Sequence, residues 1–234
     1  MSILSVEPIP TRNWRGEFVD GKWNKKTKSS LELVFEFDKN RKKSQQQVDE
    51  RIHYLWFHYL KLCLNLEGIK HSIEKKGRGG KVISKTKVKV SKTIYKKWDL
   101  NELSNRFGTQ TTITFGDWYK DEKHRLLFTK GGFKFSRGSQ YHSLVKRYNV
   151  FIEYYNKMNT DYGDDGDGGR MTKKMKICED IVEKFQKERY DQIKRKENEQ
   201  KTTSLQTIVL NDINDCEKTI LSVCKGQFSK SVPS

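Results

Sequence analysis

The sequence predicts a mainly α-helical protein with a small β element near its N-terminus and a helical hairpin at its C-terminus. Two observations indicate this α+β class. Apolar residues recur at helical spacing in the long segments, whereas they alternate with polar residues only in short ones. The composition fits a folded chain, because 234 residues suffice to bury a core and 12% aromatic residues with three prolines argue against wholesale disorder.

The N-terminal β element is predicted between residues 14 and 37. Asp20-Gly21 tolerates positive φ and suits a two-residue hairpin turn inside the segment Trp14–Trp23. Residues 31–37 then carry Leu or Phe at every odd position, which is the period of a half-buried strand.

The clearest helix is predicted from Ser44 to Leu66. Ser44-Gln-Gln-Gln47 has the pattern of a capping box, and Gly68 supplies a stop. Apolar residues cover more than half of the helix circumference, so we expect this helix at the centre of the core. The stripe contains Val48, Ile52, Leu55, Trp56, Tyr59, Leu62, Cys63 and Leu66.

Shorter elements are predicted in the middle of the chain. Residues 74–80 form a Gly- and Lys-rich loop without the G-x-x-x-x-G-K-[ST] order of an ATPase loop, and residues 82–90 an edge strand. Residues 93–103 and 114–126 are expected to be short helices, with Thr93 a possible cap of the first. Residues 139–158 form a longer helix with one apolar stripe.

A segment rich in Asp and Gly, Asn159–Gly169, marks the predicted domain boundary. It lacks the register of a calcium loop, since Thr172 stands where the closing Glu would be expected. Two helices follow, at about 171–200 and 204–225. They would form a hairpin that docks on the core, or a module that pairs with another chain.

The domains are accordingly predicted as an α+β core (1–158), an acidic Gly-rich linker (159–170) and a C-terminal helical module (171–234). One expectation is that this module pairs with a second copy of the chain, forming a homo-oligomer through residues 171–225.

The charge distribution favours a polyanionic partner. Lys and Arg number 47 against 30 acidic residues, giving +17 at pH 7. The segment 70–97 carries eleven basic residues against Glu74 alone, and the segment 123–147 carries seven against none. Their predicted phosphate-binding residues are Lys75, Lys76, Arg78, Lys81, Lys85, Lys87, Lys89, Lys92, Lys96, Lys97, Lys130, Lys134, Arg137, Lys146 and Arg147.

The cysteines and histidines do not predict a metal site. None of the four cysteines forms a C-x-x-C pair, and Cys216 and Cys224 fall on one apolar helical stripe, so we expect core thiols. His53 and His58 are five residues apart, which is poor spacing for sharing one metal on a helix. We therefore predict packed histidines, no metal and no cofactor.

Other classes of protein are not expected. No apolar run approaches the length of about 20 residues that a spanning helix needs. The first ten residues lack a basic start followed by an apolar block, so a cytoplasmic, non-membrane protein is predicted. No G-x-S-x-G, H-E-x-x-H or Walker motif indicates an enzyme. A nucleophilic tyrosine, as in relaxases or recombinases, remains open among ten tyrosines.

Several aromatic segments are scattered between residues 54 and 228. They are Leu55-Trp-Phe-His-Tyr-Leu60, Trp98-Asp-Leu100, Phe115-Gly-Asp-Trp-Tyr119, His124-Arg-Leu-Leu-Phe128 and Cys216–Phe228. Together they resemble the signatures of small, uncharacterised proteins carried by phages, satellites and integrative elements of proteobacteria. The resemblance implies a mobile-element context and no particular activity. The aromatic residues also suit a small helical core.

These features predict a non-enzymatic, basic nucleic-acid-binding protein whose partner is DNA. Its role would be that of a regulator or accessory factor of a phage or other mobile element. The alternative is a structural or scaffold protein of a phage-like particle. In that case the helices would assemble with a coat protein, and the positive charge would meet an acidic protein surface.

Overall fold

The predicted fold class, mainly α-helical with a small β element, is confirmed by a computed structural model. Its described part contains five helices and two antiparallel hairpins. None of these helices is long and apolar enough to span a membrane. The structure describes residues 4–6, 8–9, 17–19, 22–24, 43–77, 81–97, 100, 115, 118, 138–160, 173–186 and 201–226.

The first hairpin forms where Asp20-Gly21 predicts it. Strands β1 (Glu17–Val19) and β2 (Lys22–Asn24) are antiparallel, with Val19 opposite Lys22. This register leaves a two-residue connection, the length that an Asp-Gly turn favours. The strand predicted over 31–37 lies outside the described residues.

Helix α1 (Lys43–Gly68) is the predicted central helix. Its buried side chains point in several directions and include Leu55, Trp56, Phe57, Tyr59, Leu60, Leu62, Cys63, Leu64 and Leu66. The side chains of the predicted capping box are outside the described part. At the C-terminus Lys70, and not Gly68, takes the left-handed conformation (φ 57°), and the His71 N–H donates to the Leu66 carbonyl at 2.9 Å.

A second hairpin corrects the predicted loop at 74–80. Strands β3 (Ser72–Lys76) and β4 (Val82–Lys87) pair antiparallel, so residues 74–76 are strand and β4 is shorter than expected. The register shifts between Lys75 and Lys76. Sequence alternation gave no sign of β3 because Ile73 is its only apolar residue.

Helix α2 (Lys92–Lys97) begins one residue before the predicted helix at 93–103, and residues 98, 99 and 101–103 lie outside the described part. Its cap is Ser91, whose Oγ accepts the Ile94 N–H at 3.3 Å, whereas Thr93 is exposed inside the helix. In the predicted helix at 114–126, the structure describes only Phe115 and Trp118, which are helical and buried.

The three remaining helices are α3 (Gly138–Asn159), α4 (Lys173–Phe185) and α5 (Lys201–Cys224). Helix α4 ends well before the predicted residue 200, and residues 187–200 lie outside the described part. Helix α5 ends at Cys224, and Gly226 two residues later takes positive φ (77°) and donates its N–H to the Val223 carbonyl at 2.9 Å.

Side-chain pairs give the directions of the helices. Lys157 with Asp180 and Glu153 with Lys184 join α3 to α4, at 2.9 and 2.8 Å, so these two helices are antiparallel. Tyr59 with Cys216 and Cys63 with Ile220 join α1 to α5, so those helices run in the same direction. One apolar cluster contains buried residues of all four long helices.

The N-terminal segment is held against α3 by two asparagine side chains. Asn149 accepts the Ile9 N–H at 2.8 Å and donates to the Ile9 carbonyl at 2.7 Å. Asn156 makes the same pair of bonds with Leu4, at 2.8 and 3.4 Å. Leu4, Val6 and Ile9 are buried, so the amides satisfy backbone groups that burial removes from water.

We predict that Asn149→Ala destabilises the fold by about 2 kcal/mol, because it leaves a buried N–H and a buried carbonyl of Ile9 without their partners. Asn156→Ala is expected to cost less, since the second bond of Asn156 is longer and its site is only partly buried. Urea unfolding of both variants measures the difference. Equal stability of Asn149→Ala and the parent would contradict the prediction.

His58 is packed, as predicted, among the rings of Tyr54, Phe57 and Tyr148. Burial lowers the pKa of His58 to about 3, and the nearby Lys61 ammonium acts in the same direction. The native protein therefore holds this imidazole neutral over the pH range in which an unfolded histidine, with a pKa of about 6.5, takes up a proton.

The free energy of unfolding should accordingly fall as the pH drops from about 6.5 toward 3, because the His58 side chain binds a proton in the unfolded state and stays neutral in the native state. His58→Gln removes the contribution of this histidine to the pH dependence of stability and leaves the contributions of the other titratable groups unchanged. Urea titrations at neutral and acidic pH should therefore show a smaller loss of stability in the variant. An unchanged pH dependence would refute the assignment.

Candidate nucleic-acid interface

The β3–β4 hairpin is an exposed ribbon attached to the core at its base. Ile73, Val88 and Val90 are buried, which fixes the end of the ribbon nearest the helices. Every residue of β4 is exposed. At the far end the Gly77 N–H donates to the Lys81 carbonyl at 2.8 Å. Because β4 is exposed throughout its length, this strand projects from the core and its side chains are available to a partner.

Most of the predicted phosphate-binding residues in the segment 70–97 belong to this ribbon or to the residues directly after it. The exposed ones are Lys75, Lys81, Lys85, Lys87, Lys89, Lys92 and Lys96. Lys76 and Lys97 are the last residues of β3 and α2. Arg78, Lys130, Lys134 and Arg137 lie outside the described residues.

The strand register distributes the lysines over both faces of the ribbon. Lys87 lies opposite Ser72 and Lys85 opposite Glu74 on one face, while Lys75 lies opposite Ser84 on the other. Lys85 Nζ is 3.2 Å from Glu74 Oε1, and both side chains are exposed. Such a surface pair contributes little in water, so it leaves Lys85 able to exchange partners.

The structure places Lys146 and Arg147 differently from the ribbon lysines. On α3, Lys146 Nζ lies 2.9 Å from Asp212 Oδ2, and an Arg147 guanidinium nitrogen lies 2.9 Å from Asp215 Oδ2. Gln186 also donates to Asp212, at 3.0 Å. These two basic residues join α3 to α5 through acidic partners that lie more than sixty positions away in the sequence.

The ribbon also carries an apolar pair that sequence reasoning missed. Val82 and Ile83 are 45% and 66% exposed. Alternation in an edge strand predicts that one of two neighbours faces the core. Neither Val82 nor Ile83 faces the core, because both lie on the part of the ribbon that projects away from it.

The four cysteines are free and buried, as the helical stripe predicts. Burial raises the pKa of Cys63 and Cys216, and it raises the pKa of Cys178 to about 11. A hydrogen bond from Cys63 lowers the pKa of Cys224. Among the residues that the structure describes, no group of three or more His, Cys, Asp or Glu side chains is arranged to hold a metal ion.

Comparison with known proteins adds no relative to this description. No protein-family model, no curated protein and no solved structure matches the chain. Function is therefore inferred from the chain's own residues and their placement.

The ion pairs of Asp212 lead to a stability prediction. Asp212→Ala should destabilise the protein by about 3 kcal/mol, because it leaves the partly buried Lys146 without its carboxylate partner. Arg147 loses its longer contact with Asp212, at 3.8 Å, and keeps its pair with Asp215. Asn214→Ala, at an exposed position two residues away, should change stability by no more than about 0.5 kcal/mol. Thermal and urea unfolding of both variants decide. Equal effects would show that the pairs add no stability.

Proposed function

We propose that this chain is a non-enzymatic DNA-binding protein that uses the β3–β4 ribbon as its contact element. One observation carries the proposal: a two-stranded ribbon whose second strand is exposed throughout carries lysines on both faces. Ammonium groups on long flexible stems are point charges suited to phosphates, and they need no fixed geometry to bind them.

The shape of the ribbon favours duplex DNA among polyanions. Neighbouring strands lie about 4.8 Å apart, and a two-stranded ribbon can enter the major groove of B-DNA, about 12 Å wide, or bind in its minor groove. The major groove of A-form RNA is too deep and narrow for side chains to read. In a groove, lysines on both faces of the ribbon can reach the two flanking phosphate backbones.

The context proposed for this activity is regulation or an accessory step in a phage or other mobile element. It rests on the resemblance of the aromatic segments. The described Trp, Phe and Tyr side chains of those segments, such as Trp56, Phe115 and Trp118, are buried. The resemblance therefore concerns the core that carries the ribbon and not the ribbon itself.

The scaffold alternative required an apolar stripe available for assembly. Within the described part of α5, Ile213 and Ile220 are buried and Leu221 is packed against the same apolar cluster. This stripe is therefore used inside the chain, and DNA binding is the function that the exposed surface favours.

Salt dependence tests the proposal. A ribbon that engages on the order of 5–8 phosphates should give a log–log slope of roughly −5 to −7 for binding to duplex DNA. Lys85→Glu/Lys87→Glu should make the slope shallower by about 2 and weaken binding to all sequences alike, because phosphate contacts carry no sequence information.

The matched control is Lys176→Glu/Lys218→Glu, which changes the net charge equally at two exposed positions on α4 and α5. It should keep most of the parent's affinity and slope. The proposal fails if the parent does not bind duplex DNA at low salt, about 50 mM. It fails equally if both double variants lose the same affinity, because net charge alone would then explain binding.

A further inference from the structure

The most exposed large apolar side chains in the described part of the chain lie where positive charge is densest. Val82 and Ile83 begin β4, at the end of the ribbon away from the core. Lys81 precedes them, and Lys76 lies opposite Val82 across the ribbon. Ile83 is 66% exposed and Val82 beside it is 45% exposed, so the two form a contiguous apolar patch that the fold leaves open to a partner.

The position of Ile83 is set by the backbone beneath it. A Cβ atom added to Gly77 would lie 2.6 Å from Ile83 Cδ1, so the isoleucine rests over the glycine. The strand register also shifts here, between Lys75 and Lys76, which moves β4 out of simple alternation. The absence of a side chain at residue 77 thus lets Ile83 lie across the end of the ribbon.

We infer that Ile83, assisted by Val82, is a wedge that inserts between base pairs of the DNA bound by the ribbon lysines. This inference rests on the proposed function. A partner that meets both the apolar tip and the lysines around it must present apolar surface inside an anionic shell. Stacked base pairs flanked by phosphates have that arrangement, and apolar side chains of this kind unstack base steps and kink the duplex.

The lysines and the wedge would then have separable effects. The lysines supply affinity for any sequence and its salt dependence. The wedge supplies a bend, and it favours pyrimidine–purine steps, which unstack most easily.

The test uses the full chain and a duplex of about 25 base pairs with one TA step and a fluorophore at each end. Energy transfer between the ends reports bending, and titration at several salt concentrations reports affinity and slope. We expect the parent to shorten the end-to-end distance. Ile83→Ser should lose the bend and about tenfold in affinity while keeping the salt slope, because it removes apolar contact and no charge. Ile83→Leu should bend DNA as the parent does.

Gly77→Ala provides a second variant that keeps the isoleucine but displaces it, and it should reduce the bend without changing the salt slope. If the parent binds with a steep salt slope and Ile83→Ser bends DNA equally, the wedge is refuted and DNA binding stands. The wedge is also refuted, and DNA binding again stands, if the parent binds DNA without bending it. Val82 and Ile83 would then be expected to contact another protein. If the parent does not bind duplex DNA at all, the proposed function and the wedge fail together.

Discussion

The burial of helix α1 on most of its sides is the constraint on which the rest of the structure depends. Only 34% of the residues are hydrophobic, so a large share of the apolar surface has to be concentrated in one place. Phe57, Tyr59 and Leu62 are almost completely buried, and helical geometry points Phe57 to a different side of this helix from Leu62. A helix that is apolar nearly all round needs neighbours in several directions, and α3, α5 and the N-terminal segment provide them.

Polar groups specify how those neighbours are placed. The Tyr59 hydroxyl donates to the Leu144 carbonyl at 2.9 Å, which joins α1 to α3 inside the core. The amides of Asn149 and Asn156 hold the N-terminal segment along α3, and Asn65 donates to Ser5 at 2.6 Å from the α1 side. The bonds of Tyr59 and Asn149 are buried, and because buried polar groups must be satisfied they restrict the arrangement more sharply than apolar contact does.

The same core determines where the lysine ribbon is attached. The ribbon begins directly after α1, and it returns to the core at Val90, whose N–H donates to the Glu67 carboxylate at 3.1 Å. The next residue, Ser91, donates its N–H to the Cys224 carbonyl at the end of α5, at 2.9 Å. The base of the ribbon is thus held by the C-terminal ends of the two helices that run in parallel. A rigid base is what allows a projecting strand pair to present its lysines in a constant direction.

The sequence by itself determined the helices and turns whose formation depends on residues close together along the chain. Helical spacing predicts α1, α3 and α5, and Asp20-Gly21 predicts the first hairpin, because hydrogen bonds within a few residues set each of them. The lysine-rich segment was likewise visible in the sequence as an unbalanced run of charge.

The remaining features were decided by residues distant in sequence. Strand β3 has almost no apolar alternation and exists because β4 pairs with it. Lys146 and Arg147 belong to the same predicted basic surface as the ribbon lysines, yet Asp212 and Asp215 draw them into the contact between α3 and α5. Only the tertiary structure distinguishes lysines that face solvent from basic residues that join helices. The sequence shows that a residue is charged, but the acidic side chain that pairs with it is set by the fold.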